Sequence, residues 1–223
     1  MIKAVIFDMY ETLITHYSCP LYFGKQMAAD MGIPEEAFQK LWRATDSERT
    51  TGKMTFEEII EIILKENQCY SGEMLDLIVR KRVATKEEGF RHLHPEIIPM
   101  LEGLKEKGKK IGLISNCFSE ETGVIRKSVL FPYFDAVCMS YEEGLKKPDA
   151  EIYKRCMEKL GVKADECLYV GDGGSQELEA AKALGMETAQ AVWYFKEGTM
   201  QPVGRKDGFR QAENPLELLT FIL

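Results

Sequence analysis

The sequence predicts a three-layer α/β fold, in which helices cover both faces of a parallel β-sheet. Short runs rich in Ile and Val alternate with amphipathic helical patterns along most of the chain. Glycines such as Gly108, Gly161 and Gly185 stand where those helical patterns stop. Strands and helices that alternate in this way are typical of parallel sheets covered on both sides.

The individual elements follow from these patterns. Five strands are expected, at residues 3–7, 109–115, 136–140, 167–170 and 188–192. Helices are expected at residues 96–107, 120–130, 149–160 and 176–184, and Ser119 is the expected N-cap of the second. The stretch from Trp193 is irregular, and residues 215–222 are expected to close the chain as a helix.

One long segment breaks the alternation, because between Thr15 and Lys86 the patterns are helical only. Helices are expected at residues 21–31, 35–48, 56–66 and 73–83, and Thr55 with Glu58 has the spacing of a capping box. We therefore expect an α/β core of residues 1–15 and 86–223, with residues 16–85 inserted as an all-helical subdomain.

Composition limits the possible partners. The 223 residues carry a net charge of -7, which argues against nonspecific binding to nucleic acid or to an anionic membrane. The six cysteines include no C-x-x-C pair, and no apolar run is long enough to span a bilayer. We expect a cytoplasmic protein with a small-molecule substrate; its oligomeric state stays open.

Polar residues follow three of the predicted strands directly. Asp8 ends the first apolar run, Ser115 and Asn116 end the second, and Asp172 follows Gly171 after the fourth. Ligands of parallel α/β sheets bind beyond the carboxyl ends of the strands, so these residues are candidates for one site.

Four ordered motifs give the chain its resemblance to a known family. They are Asp8-Met9-Tyr10-Glu11-Thr12, Ile114-Ser115-Asn116, Lys147-Pro148-Asp149, and the run from Gly171 to Glu177 (GDGGSQE). With these motifs the chain resembles the haloacid dehalogenase superfamily, which implies a Rossmann-like core and a helical cap inserted after the first motif.

The resemblance implies a hydrolase with Asp8 as its nucleophile. It implies Mg²⁺ held by Asp8, Asp172 and the backbone carbonyl of Tyr10, since Mg²⁺ prefers oxygen ligands. Ser115, Asn116 and Lys147 would bind the phosphate, and Lys147 would also neutralise charge during transfer. Thr12 and Glu177 would support these groups from around the site.

Tyr10 departs from the phosphatases of this superfamily, which usually have a second Asp at that position. A phenol is a poor base at neutral pH. The arrangement Asp8-x-Tyr10-x-Thr12 is similar to that of the 2-haloacid dehalogenases, but those enzymes lack acids corresponding to Asp172 and Glu177. A Mg²⁺-dependent phosphatase of small phosphate monoesters is thus the first expectation. A 2-haloacid dehalogenase-type hydrolase is the second, and a low-turnover Mg²⁺- or anion-binding protein is the third.

Overall fold

A computed structural model describes residues 1–196 and 203–222, and a six-stranded sheet is the centre of the molecule. All its strand pairs are parallel, in the order β3-β2-β1-β4-β5-β6. The strands are β1 (Ala4–Phe7), β2 (Lys110–Ser115), β3 (Ala136–Met139), β4 (Cys167–Gly171), β5 (Glu187–Ala191) and β6 (Arg210–Ala212). The predicted α/β fold is confirmed.

The central strand β1 sets the position of the site. Its four residues are fully buried, which explains its continuous apolar sequence. Phe7 is in register with Leu113 of β2 and with Val170 of β4. The residues that follow these three therefore leave the sheet at one edge.

Helices pack on both faces of the sheet. Val5 and Phe7 belong to the hydrophobic cluster on one face, whereas Ala4 and Ile6 belong to the cluster on the other. The helices outside the insertion are α6 (Ile97–Glu106), α7 (Ser119–Lys127), α8 (Ser140–Glu143), α9 (Ala150–Leu160), α10 (Glu177–Ala183) and α11 (Leu218–Phe221). Successive side chains of a strand point to opposite faces, so both layers bury apolar surface.

Five helices of the insertion precede α6 between β1 and β2. They are α1 (Gly24–Met31), α2 (Glu35–Ala44), α3 (Asp46–Thr50), α4 (Phe56–Glu66) and α5 (Gly72–Gly89). These inserted helices form a hydrophobic cluster of their own, which includes Phe38, Phe56 and Ile63. At the start of α4, Thr55 accepts from the Glu58 amide at 3.1 Å and Glu58 accepts from the Thr55 amide at 2.7 Å, as the capping box predicts.

Several element boundaries differ from the expectation. The helix expected at residues 35–48 is divided in two at Thr45, and α5 continues six residues beyond the expected end at Val83. Strand β6 and the short helix α8 were not expected, because each has only three or four residues and no clear period. The chain closes with a 3₁₀ turn at Pro215–Glu217 followed by the single turn of α11.

The expected N-cap at Ser119 is wrong. Phe118 is the N-cap residue of α7, and its amide is bound by the Glu121 side chain at 2.8 Å. The Ser119 hydroxyl instead accepts from the Phe56 amide at 2.8 Å, so it joins α7 to the first turn of α4.

No helix among the described residues is both long and apolar enough to cross a membrane. Part of the irregular stretch after Trp193, residues 197–202, lies outside the described residues.

Candidate active site

Asp8 stands at the tip of β1, where the apolar strand ends. It is 6% exposed, and its amide donates to the Val170 carbonyl of β4 at 2.9 Å. The Lys147 ammonium lies 2.5 Å from its carboxylate. The end of β1 thus holds the buried Asp8 carboxylate beside the buried Lys147 ammonium.

Lys147 is positioned by Asn116 through two hydrogen bonds. The Lys147 amide donates to the Asn116 side-chain oxygen at 2.8 Å, and the Asn116 side-chain nitrogen donates to the Lys147 carbonyl at 3.0 Å. The Lys147 ammonium bridges Asp8 and Glu177, which it contacts at 2.6 Å. Because Asn116 ties the loop of Lys147 to the end of β2, two of the predicted motifs act on one ammonium group.

Three carboxylates meet at this edge of the sheet. One oxygen each of Asp8, Asp172 and Glu177 lies within 4.8 Å of the others. The Gly174 amide donates to Asp172 at 2.8 Å and the Gly173 amide donates to Glu177 at 3.0 Å, so the turn after β4 holds both acids. This is the only such cluster of potential metal ligands among the described residues.

The charge of this cluster is not balanced by the protein alone. Burial raises the pKa of Asp8, and Glu177 adds to the rise while Lys147 opposes it. Burial, followed by Glu177 and Asp8, raises the pKa of Asp172 to about 8. Burial lowers the pKa of Lys147, but the two carboxylates at its ammonium raise it more, so the lysine stays charged. One cation faces three acids, which is an arrangement that favours a further cation.

Two buried hydroxyls near the cluster are free. Ser115 at the end of β2 and Thr12 in the loop after β1 are fully buried, and neither side-chain oxygen has a hydrogen-bond partner among the described residues. Unpaired buried polar groups are costly, and a bound ligand is one way to satisfy them. Ser115 is the predicted phosphate-binding residue, and its free hydroxyl fits that prediction.

Tyr10 faces the inserted helices. Its ring stacks on His16 with centroids 4.6 Å apart, and the Lys86 ammonium lies 4.9 Å from its ring centroid. Its hydroxyl is buried without a hydrogen-bond partner among residues 1–196 and 203–222. Burial raises the pKa of Tyr10, with Glu121 adding to the rise, so the phenol stays protonated.

Two open cavities meet beside these residues. The first, of about 480 Å³, is lined partly by Asn116, Phe118, Lys147 and Ser175. The second, of about 320 Å³, shares Asn116 and Phe118 and is lined further by Tyr10 and by residues of the inserted helices. Lys147, which contacts Asp8 and Glu177, thus also lines a cavity beside the inserted helices.

Sequence reasoning missed one residue of the site. The Tyr169 hydroxyl donates to Glu177 at 2.8 Å and lies 3.4 Å from the Lys147 ammonium. A tyrosine inside the apolar run of β4 was a usable signal, because a buried hydroxyl needs a partner. Tyr153, which follows Lys147-Pro148-Asp149 where the 2-haloacid dehalogenases carry a tyrosine, also lies at this group, because its hydroxyl donates to the Glu177 carbonyl at 3.2 Å.

Reasoning from sequence also missed a buried ionic cluster between the insertion and α7. Arg82 contacts Glu120 at 3.0 Å and Glu121 at 3.6 Å, and Lys86 contacts Glu121 at 2.5 Å. All four side chains are at most 5% exposed. Lys86 also contacts the ring nitrogen Nε2 of His16 at 3.0 Å. Charged residues at helical spacing read as solvent-exposed faces from sequence alone, so this cluster gave no signal.

Two arginines of the inserted helices differ in their surroundings. Arg43 is exposed on α2. Arg49 is buried, and its guanidinium carbon lies 3.5 Å from the centroid of the Trp42 ring.

Comparison with known proteins places the chain in a family. A model of the haloacid dehalogenase-like hydrolases matches residues 2–185. A glyceraldehyde 3-phosphate phosphatase of Methanopyrus kandleri is 28% identical, with 100% of this chain and 97% of that protein covered. A phosphoglycolate phosphatase of Aquifex aeolicus is 32% identical, over 61% of this chain and 63% of that protein.

Solved structures share the fold at low identity. A phosphatase of this superfamily from Thermococcus onnurineus has a TM-score of 0.68 and 20% identity, with 99% and 98% of the two chains covered. An L-2-haloacid dehalogenase from Xanthobacter autotrophicus has a TM-score of 0.64 and 18% identity, with 100% and 98% covered. An enzyme of the family from Bacteroides thetaiotaomicron, solved with magnesium and inorganic phosphate, has a TM-score of 0.64 and 19% identity, with 91% and 98% covered. These likenesses show the fold, and the family model, which matches most of the chain, shows that the chain belongs to the haloacid dehalogenase-like hydrolases.

Proposed function

We propose that this hydrolase is a Mg²⁺-dependent phosphatase of small phosphate monoesters, with Asp8 as the nucleophile. The observation that carries the proposal is the cluster of Asp8, Asp172 and Glu177 around the Lys147 ammonium. A dehalogenase needs no metal, and a cluster of three acids, two of them buried and one half-buried, would be costly to keep without one. The phosphatase names of the relatives support the same reaction class.

In the proposed reaction, a carboxylate oxygen of Asp8 attacks phosphorus, and the bond from phosphorus to the leaving alcohol breaks. The product is an aspartyl phosphate, which water then hydrolyses to inorganic phosphate and free Asp8. Lys147 opposes the rise in the pKa of Asp8 that burial causes, and it would offset charge on the transferring group. The free hydroxyl of Ser115, together with the backbone N–H of Asn116, would donate to the phosphate oxygens.

The donor set fits Mg²⁺. Asp8 and Asp172 supply carboxylate oxygens, and the Tyr10 carbonyl is the third protein ligand that we propose. Glu177 is already bonded to Lys147, Tyr169 and the Gly173 amide, so its proposed part is to fix these neighbours. When bound, Mg²⁺ would supply the positive charge that brings the phosphate and Asp8 together.

Tyr10 is the feature that favours the second candidate, a 2-haloacid dehalogenase-type hydrolase. A protonated phenol can donate a hydrogen bond to the leaving oxygen, but it cannot readily take a proton from water. A low-turnover Mg²⁺- or anion-binding protein is the third candidate for the same reason. We rank the phosphatase first because Asp172 and Glu177 are both present and both held in place.

We propose that residues 16–85 act as a cap over a core of residues 1–15 and 86–223. The inserted helices line one wall of the 320 Å³ cavity, opposite Asn116 and Phe118. A cap in that place would exclude water during phosphoryl transfer and select the leaving group. The six cysteines are free, which suits the reducing cytoplasm that we propose as its location.

Phosphate release from a panel of small phosphate esters, with and without Mg²⁺, tests the proposal. We expect release that needs Mg²⁺ and is lost in Asp8→Asn. Halide release from a 2-haloacid without added metal would support the dehalogenase instead. A folded protein that binds Mg²⁺ and releases neither product would favour the binding role.

A further inference from the structure

The 320 Å³ cavity is the place where the organic part of a substrate would lie. It adjoins the 480 Å³ cavity beside Lys147, and the two share Asn116 and Phe118. A ligand with its phosphate beside Lys147 can therefore extend past Asn116 towards the inserted helices. A volume of this size is at the lower end for small-ligand sites. We call it the leaving-group cavity.

Half-buried rings make up much of the wall of the leaving-group cavity. They are Tyr10, His16, Phe23, Trp42 and Phe118. Tyr10 stacks on His16, His16 meets the edge of Phe23 at 5.6 Å, and Trp42 meets Phe118 edge-on at 5.7 Å. Aromatic walls favour a ligand with a flat, apolar ring, because ring pairs gain both buried area and favourable quadrupole contacts.

Every cation that the described residues place at this cavity is already paired. Lys86 is bound to Glu121, and Arg82 is bound to Glu120 and Glu121, so two positive charges face two negative ones. Arg49 does not line this cavity, because its side chain is 1% exposed and its guanidinium is packed against Trp42 and Phe118, 3.9 Å from Asp46. Its Nη1 atom has no hydrogen-bond partner among the described residues, but the side chain offers almost no surface to a ligand. A second anionic group on the substrate would lose water and meet no unpaired cation, which is costly.

Neutral hydrogen-bonding capacity is available in the same place. The Tyr10 hydroxyl is buried and has no partner in the part of the chain that the structure describes. It can bond to an ester oxygen or a hydroxyl of the ligand, and neither atom needs to carry charge.

We propose that the substrate is a phosphate monoester of an uncharged, ring-bearing alcohol, whose ring lies among the five aromatic side chains. The proposal rests on the phosphatase function proposed above and extends it to a substrate class. Esters that carry a carboxylate or a second phosphate on the leaving group are excluded by the paired charges of the wall.

Binding of non-hydrolysable phosphonates in the presence of Mg²⁺ tests this class. Calorimetry would compare methylphosphonate, benzylphosphonate and 4-carboxybenzylphosphonate on the full chain. We expect benzylphosphonate to bind at least about tenfold more tightly than the other two, because it gains ring contacts without burying a second charge. Equal affinities, or a preference for the carboxylate, would overturn the proposed class while leaving the phosphatase standing. If no phosphonate binds, the site does not hold a phosphoryl group, and both the phosphatase function and the substrate class are contradicted.

Two variants link the preference to the cavity. Glu121→Gln removes one negative charge from the wall and should raise the relative affinity for 4-carboxybenzylphosphonate about tenfold, because an unpaired cation then faces it. Glu142→Gln, which removes an exposed carboxylate paired with Arg126, should leave the ratio unchanged. Trp42→Leu should reduce the ratio of the affinities for benzylphosphonate and methylphosphonate. If Glu121→Gln does not fold, this variant alone tests the proposal. An unchanged ratio in Trp42→Leu would place the ring elsewhere and overturn the proposal.

Discussion

Gly171, the last residue of β4, has no side chain where Glu177 approaches the strand. A Cβ atom at this position would lie 2.0 Å from one carboxylate oxygen of Glu177. Glu177 is buried and bonded to Lys147 and Tyr169, so it has little room to withdraw. The glycine before Asp172 therefore allows the carboxylate cluster to form.

Gly171→Ala should lower the free energy of unfolding by about 1–3 kcal/mol, because an added methyl group overpacks a filled site. Urea denaturation measures the change. Gly123→Ala in α7 is the matched control, since its Cβ would meet nothing within 4 Å apart from neighbours in its own helix. The control should be as stable as the wild type or more so. Equal stability of the two variants would show that Glu177 does not need this space.

Tyr10 is the residue that distinguishes this site from the usual phosphatase arrangement. Its phenol is protonated and buried, so it cannot serve as the base that activates water. Its ring, by contrast, is part of the wall of the leaving-group cavity.

Tyr10→Asp should raise the rate of phosphate release by about 10²-fold, which is the lower end of what a positioned acid/base group contributes. Steady-state phosphate release on one ester measures it. Tyr10→Phe keeps the ring, removes the hydroxyl and should show no gain. If Tyr10→Asp is no faster than the wild type, Tyr10 is not what limits turnover.

At the scale of elements, the buried ionic cluster joins α5 of the insertion to α7. Arg82 and Lys86 come from α5, and Glu120 and Glu121 from the first turn of α7. Burial lowers the pKa of Lys86 to about 8, with Arg82 adding to the effect and Glu121 opposing it. Buried ion pairs contribute little net stability, but one that loses a partner leaves a costly unpaired charge.

Arg82→Met should therefore destabilise the protein by about 3–5 kcal/mol, because it leaves Glu120 buried without its partner. The double variant Arg82→Met/Glu120→Met should recover much of that loss. Urea denaturation of the wild type, the two single variants and the double variant gives the coupling free energy between the two side chains. Arg126 and Glu142 form an exposed pair, so Arg126→Met should cost no more than about 1 kcal/mol. Similar losses for the buried and exposed pairs would contradict this view of the joint between α5 and α7.

Elements were predicted correctly where the sequence carried a clear hydrophobic pattern. They were missed where the element was only three or four residues long or where no Gly or Pro marked a break. The five expected strands were located to within one residue at each end, and four of them, β1 to β4, are largely buried apolar runs of a parallel sheet. Strand β6 is a three-residue edge strand with a polar sequence, so it carries no such run. The division of α2 from α3 at Thr45 involves no Gly or Pro, which are the usual signals of a break.

At the scale of the whole molecule, the sheet explains why widely separated motifs form one site. Asp8, Ser115 and Asp172 all follow or end strands whose carboxyl ends meet at one edge. Order along the chain was enough to predict this convergence. The pairing of charges around the leaving-group cavity was not predictable, since it depends on how α5 packs on α7, and no local pattern encodes that contact.

The function that we propose requires that Asp8 accepts a phosphoryl group with the help of Mg²⁺. It can be tested without knowing the substrate, by following thermal unfolding in the presence of Mg²⁺ and a fluoride mimic of the phosphoryl group. We predict a rise in Tm that requires both the mimic and Mg²⁺ and is lost in Asp8→Asn. The phosphoryl-accepting role of Asp8 would be contradicted by a mimic that has no effect on the folded wild type, acts without Mg²⁺, or stabilises Asp8→Asn equally.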